Sequence, residues 1–245
     1  MKKLLLIIIL VAVSSFLANA QNSKFSLSGG LLTMKILGSN ANSSPMVQRD
    51  PAKNNIIGGG FSQTNSGFSL KLNYDLDEAG TYSMPMGFEY IHLNARERIP
   101  IAKNVTAYLS NDAYLPAVVV GFNYKFYKFK FTNVRAYTGL DIKGTFLQVG
   151  KFFREIHYDK PIDSTDVLEI DTKSAAFRLG GNIKFGFVGQ IIGNVYINSF
   201  ISFGLLNLAP KDNARGELLT TGILTEANET FTSTMNFGLL LEYRF

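Results

Sequence analysis

Asn236-Phe237-Gly238-Leu239-Leu240-Leu241-Glu242-Tyr243-Arg244-Phe245 closes the chain. Phe237, Leu239, Leu241, Tyr243 and Phe245 take every second position, with Asn236, Gly238, Leu240, Glu242 and Arg244 between them. Successive side chains of a strand point to opposite faces, so the stretch predicts a strand with one apolar face and one largely polar face.

The same period of two recurs upstream. Phe177, Leu179, Gly181, Ile183, Phe185 and Phe187 alternate with Arg178, Gly180, Asn182, Lys184 and Gly186. Phe68-Leu70-Leu72-Tyr74, Met84-Met86-Phe88-Tyr90 and Val120-Phe122-Tyr124-Phe126 behave alike, and three weaker segments fill the gaps. The pattern predicts eight strands, near 24–37, 66–75, 81–94, 114–126, 133–148, 173–187, 193–207 and 231–245. Their connections alternate in length. Residues 38–65, 95–113, 149–172 and 208–230 are long and polar, whereas 76–80, 127–132 and 188–192 are short. Short turns at one end and long loops at the other are the pattern of an outer-membrane barrel, with the long loops outside. An even strand count places both termini on the periplasmic side.

The polar face carries Lys71, Glu89, Lys125, Asp141, Lys143, Arg178, Lys184, Glu242 and Arg244. These charges cannot fill a dry soluble core, but they can pair across a barrel lumen. The strands are long enough to cross hydrocarbon at a tilt, and a sheet in lipid must close so that every backbone group is paired. The fold class is therefore read as all-β: an eight-stranded antiparallel up-and-down transmembrane β-barrel with short periplasmic turns and long extracellular loops. Tyr74, Tyr127, Phe129 and Tyr243, near strand ends, suit the membrane interfaces. A soluble eight-stranded ligand-binding barrel of lipocalin type has the same alternation turned inside out, so alternation alone does not separate the two.

The N-terminus reads as a secretory signal peptide. Lys2 and Lys3 precede the apolar run Leu4–Val13, and Ala18-Asn19-Ala20 forms a cleavage pattern before Gln21. Residues 1–20 are expected to be removed between Ala20 and Gln21, leaving 21–245 as one barrel domain. The net charge of +5 is spread along the chain without a basic cluster, which excludes a nucleic-acid partner. The chain has no cysteine and only two histidines, and no cofactor or metal is expected.

The terminal Phe245, with Tyr243, Leu241, Leu239 and Phe237 before it, resembles the signal by which the barrel-assembly machinery recognises outer-membrane β-barrel proteins. Together with the signal peptide and loop pattern, the chain resembles the small outer-membrane β-barrel family common in Bacteroidota, broadly similar to the membrane domain of OmpA. The resemblance spans the mature chain and favours lipid over the soluble alternative. It implies outer-membrane lipid, the assembly machinery and other outer-membrane proteins as partners. The chain lacks the plug and peptidoglycan-binding domains of larger relatives, which puts energised transport and wall anchoring in doubt.

Chemistry is sparse. Gly58-Gly59-Gly60 has no Lys-Ser/Thr pair after it and reads as a flexible loop. His92 and His157 lack a second histidine at ligand spacing. His92 is followed at 94 by Asn, not the Ser of the lipid A deacylases, and only Ser110 or Ser199 remain as distant hydroxyls. Asp163-Ser164-Thr165 resembles the acceptor motif for O-glycosylation in Bacteroidota. The functional expectation is a non-enzymatic structural or interaction protein with a side-chain-filled lumen and external binding loops. The alternatives are a small porin-like channel or hydrophobic-solute transporter, a subunit of a larger complex and, disfavoured, a lipid A-modifying enzyme.

Overall fold

In the computed structural model residues 24–38, 40–46, 58–130, 132–170, 173–220 and 228–245 are described; the expected signal peptide, with Ala20 and Gln21, lies outside them. Nine strands form: β1 (Phe25–Leu37), β2 (Thr64–Asp75), β3 (Tyr82–Ala102), β4 (Val105–Lys128), β5 (Val134–Tyr158), β6 (Ser164–Ile170), β7 (Ala176–Ile192), β8 (Val195–Ala209) and β9 (Ser233–Arg244). Among the described residues there is no helix. Eight strands close a ring in chain order, β1-β2-β3-β4-β5-β7-β8-β9, with β9 returning antiparallel to β1. The closing register sets Ser28 against Glu242 and Leu27 against Tyr243. The fold is an eight-stranded antiparallel up-and-down β-barrel.

The ninth strand is a difference from the sequence reading. The expected loops 95–113 and 149–172 are largely sheet. β3 runs to Ala102 and turns through Lys103 and Asn104 into β4, while β5 runs to Tyr158 and β6 returns beside it. These segments continue the wall beyond its last contacts with β2 (Gly67 opposite Ile91) and β7 (Leu147 opposite Ala176). The result is a four-stranded projection, β3-β4-β5-β6, at the long-connection end. It escaped the sequence reading because Arg96, Arg98, Glu155 and their neighbours are polar on the outward side, which erases the alternation. Its inner side does carry Ile99, Ala107, Leu109, Phe152, Ile156 and Ile170, packed on the barrel's core. At the other end the connections are short, the tightest being Gly193-Asn194 between β7 and β8.

Outside, the wall is apolar. Leu31, Ile142 and Leu241 are 68%, 67% and 59% exposed, and Phe68, Val118, Leu140, Phe185 and Phe237 are similarly bare. The steps from Phe177 to Phe187 on β7 cover about 33 Å at ~3.3 Å per residue, or about 25 Å along the axis at a tilt of about 40°. Aromatic rings gather at the turn end: Phe25 with Tyr74, Tyr82 with Tyr124, Tyr127 with Phe129, and Tyr243 with Phe245 lie 4.9–5.3 Å apart by centroid.

Inside, two layers meet. The turn-side and middle positions are polar: Ser26, Ser28, Lys71, Glu89, Asn123, Asp141, Lys143 and Lys184 are buried. Toward the projection the same parity becomes apolar, with Leu32, Met34, Ile36, Ile91, Leu93, Leu115, Leu147 and Leu206 in one buried cluster. The expectation of a polar inward face holds only for part of the height. Loop segments cover the outer mouth, so that half is shut from water and packs as an ordinary apolar core.

Candidate functional site

Five of the inward charges form one chain. Glu89 Oε1 and Oε2 lie 2.8 Å from Lys71 Nζ and 2.5 Å from Lys143 Nζ. Lys71 stands 3.8 Å from Asp141, which holds Lys184 Nζ at 2.6 Å. Three ammoniums and two carboxylates thus alternate across β2, β3, β5 and β7, all nearly inaccessible. The wall is cut back to admit them: a Cβ on Gly121 of β4 would lie 2.0 Å from Asp141 Oδ1. Above them the Phe200 ring lies 5.4 Å from Lys71 Nζ, within cation–π range.

The other four candidate charges stand apart. Lys125 pairs with Asp75 at 3.2 Å, and Glu242 accepts from Arg244 Nε at 2.9 Å and from Ser26 at 3.2 Å. Arg178 donates Nε and an NH2 proton to Glu229 at 2.8 and 2.6 Å. Asp75 and Glu229 were not among the sequence candidates; each lies at or beyond a strand end, where parity gives no guide. Near Lys125 and Glu242 the free space shrinks to a cavity of about 10 Å³, room for about one water.

The outer mouth is closed by the first and last long connections. Met46, Phe61, Leu218 and Leu219 are fully buried over the apolar layer. Asn42 organises them: its Nδ2 donates to Thr232 Oγ1 at 2.8 Å and its Oδ1 accepts from Leu219 N at 2.7 Å. Gly58-Gly59-Gly60, expected to be a flexible loop, is packed here. A Cβ on Gly59 would lie 2.7 Å from Leu219 O and 2.8 Å from Asn42 O, and Gly59 O accepts from Asn111 Nδ2. Glu229 fastens the last connection to the wall through Arg178 and through Asn207 Nδ2 at 2.7 Å. Burial pushes its carboxyl up, but the bonds from Arg178, Asn207 and the Asp212 N–H outweigh this and hold it below the usual carboxylate range. Lys173 donates to Glu217 O at 2.7 Å and Thr220 Oγ1 at 2.9 Å. Burial, with repulsion from Arg215, lowers it to about 8.

His92 sits on the outward side where barrel meets projection, and His157 lies near the projection's tip, opposite Thr106. His92 Nε2 is 3.1 Å from Asp112 Oδ1 and its ring stacks on Tyr114. His157 meets Glu155 at 3.3 Å and the edge of Tyr108. Among the described residues the imidazole hydrogen bonds run to Asp112 and Glu155, and neither Ser110 nor Ser199 shares one. Among the described residues no cluster of His, Asp and Glu has the make-up of a metal site. Arg96, Arg98, Tyr108, Ser110, Glu155 and His157 line a concave surface of about 510 Å³ on the projection. Ser164 and Thr165, in the Asp163-Ser164-Thr165 stretch, begin β6 and are exposed. On β9, Phe237, Leu239, Leu241 and Tyr243 are outward and bare.

No family model matches the chain, and no curated protein does. Among solved structures it is similar to Neisserial surface protein A, at 11% identity and a TM-score of 0.46 over 91% of this chain and 98% of that one. It is also similar to Ail, the attachment invasion locus protein of Yersinia pestis, solved in complex with the heparin analogue sucrose octasulfate. There the identity is 12% and the TM-score 0.44, over 90% and 97% of the two chains. At these values the likeness says nothing of function.

Proposed function

We propose that the chain is an integral β-barrel of a Gram-negative outer membrane with a structural or interaction role, its projecting sheet and outer connections forming the surface that meets partners. One observation carries the reading: polarity is inverted, with bare Leu, Ile, Val and Phe round the wall and ion pairs sealed within. Water makes an exposed apolar band of this extent unfavourable, whereas hydrocarbon does not. On this reading the signal peptide is removed at Gln21, the outward face of β9 is read by the barrel-assembly machinery, and both termini face the periplasm. A diffusion pore is disfavoured because ion pairs fill the middle of the lumen and Met46, Phe61, Leu218 and Leu219 fill its outer mouth. Catalysis is disfavoured because among the described residues neither histidine has a hydroxyl partner.

The test is fractionation followed by reconstitution. The mature protein is expected in outer membranes and, in planar bilayers, gives no steady conductance. Recovery as a soluble periplasmic protein would overturn the membrane reading. Large stable channels would overturn the filled lumen and promote the channel alternative.

A further inference from the structure

Along most of the barrel, inward cations are held by carboxylates: Lys71, Lys143 and Lys184 by Glu89 and Asp141, Lys125 by Asp75, and Arg178 by Glu229. The pattern breaks at the turn-side mouth. Lys128 and Arg135 face each other across the β4–β5 ladder. Among the described residues neither has a carboxylate within 4.0 Å. With Arg244 they surround an open cavity of about 220 Å³ whose other walls are Asn133, Val188, Gln190 and Tyr196, and no carboxylate lines it.

Two of the three cations, Arg135 and Arg244, are held in place, and Lys128 reaches the same space from the exposed end of β4. Arg135 Nη1 donates to Ala79 O at 2.7 Å, which fixes the guanidinium and leaves its other nitrogens free to donate. The Arg244 guanidinium lies 3.9 Å over the Tyr196 ring, and its Nε is held by Glu242. Asn133 Nδ2 donates to Gln190 Oε1 at 2.8 Å, tying the amide rim together. A planar fork and a point charge facing one space are the donor set that grips an oxyanion. A cavity with low-dielectric walls lined by one sign of charge also concentrates the opposite ion. The volume is below the roughly 300 Å³ at which pockets for drug-sized ligands begin, so the fitting ligand is small.

We propose that this mouth binds a small multivalent oxyanion, a phosphate or a short dicarboxylate, with Arg135 and Lys128 as the gripping residues and Arg244 on Tyr196 as the third wall. The site goes beyond the reading above and stands on the lumen's own geometry.

The experiment is calorimetric titration of the folded, detergent-solubilised mature protein with inorganic phosphate, pyrophosphate and succinate, each against chloride at matched ionic strength. Saturable binding of at least one probe, one per chain, is expected. Lys128→Gln should weaken it at least tenfold and Arg135→Gln further. Arg135→Lys, which keeps the charge but loses the fork, should recover part of the loss. Lys211→Gln, on the opposite end of the barrel, should leave it unchanged. Folding of each variant is checked by its resistance to unfolding on an unheated gel. Because Lys128 is exposed and without a hydrogen-bond partner in the wall, its variant keeps the test open if Arg135→Gln fails to fold. Absence of saturable binding to all three probes would overturn the proposal. So would binding that Lys128→Gln and Lys211→Gln reduce equally, since that is charge screening alone. Neither result bears on whether the barrel resides in a membrane.

Discussion

Glu89→Gln keeps the shape of the side chain and removes the charge that Lys71 and Lys143 share. At an effective dielectric of about 20, an ion contact of 2.8 Å is attractive by about 6 kcal/mol before desolvation. Two such contacts disappear together, while both ammoniums stay buried. The five-membered chain goes from three cations and two anions to three cations and one anion. Breaking a buried pair by removing one partner typically costs about 3–5 kcal/mol, and a loss of that size is expected here. Lys143→Met in the same background removes the stranded cation, and at least half of the loss should return, because apolar replacement of a buried pair is often near neutral. The assay is urea unfolding of the folded protein in lipid vesicles, comparing the wild type, both single variants and the double variant as a cycle. A Glu89→Gln stability within about 1 kcal/mol of the wild type would refute the reasoning, because only exposed, solvent-screened pairs are worth so little. Failure of Lys143→Met to restore anything would locate the damage in packing and not in charge.

Gly121→Val should destabilise the barrel by about 1–3 kcal/mol or more, as overpacking does, because its Cβ would lie against Asp141 Oδ1; the same unfolding assay reads it. Phe245→Asp is expected to cut membrane insertion severalfold while Phe231→Asp, in the connection before β9, leaves it near wild type; equal insertion would count against a terminal recognition signal. Glu229 is held below the usual carboxylate range, so its contribution is present above the unfolded carboxylate value of about 4.3 and lost as pH falls through the lower folded value. Protease cleavage within 210–230 should therefore stay slow at pH 5–7 and rise only below about pH 4, and Glu229→Gln should raise it at pH 5–7 and flatten the pH dependence, converging on the wild type at low pH.

The barrel was legible in the sequence where strands have one dry face and one wet one. β7 and β9 show it best: Phe177 to Phe187 and Phe237 to Phe245 keep strict alternation, and their outward residues are bare. The projection was not legible, because Arg96, Arg98 and Glu155 carry charge where the rule expects Leu or Phe. The outer apolar layer was half legible. Leu32, Met34 and Ile36 share the parity of Ser26 and Ser28, and that switch of character along one face marks where the interior becomes dry. Asp75 and Glu229 could not be placed, because a residue beyond a strand's end has no fixed face. Lys128 fell in the stretch 127–132 read as a connection, whereas β4 continues through a register shift between Lys125 and Tyr127 and pairs it with Arg135.

The β4 strand runs unbroken from the turn end to the tip of the projection, Val105–Lys128, about 80 Å at ~3.3 Å per residue. β3 and β5 flank it for most of that length. A load applied at the tip therefore runs lengthwise into ladders of hydrogen bonds, which must slip all together and cannot be opened one rung at a time. A flexible loop of the same sequence would stretch first and transmit little. The projection is thus mechanically a mast stepped into the barrel wall, and on the proposed membrane reading tension on anything it held would pass through a stiff element into the wall.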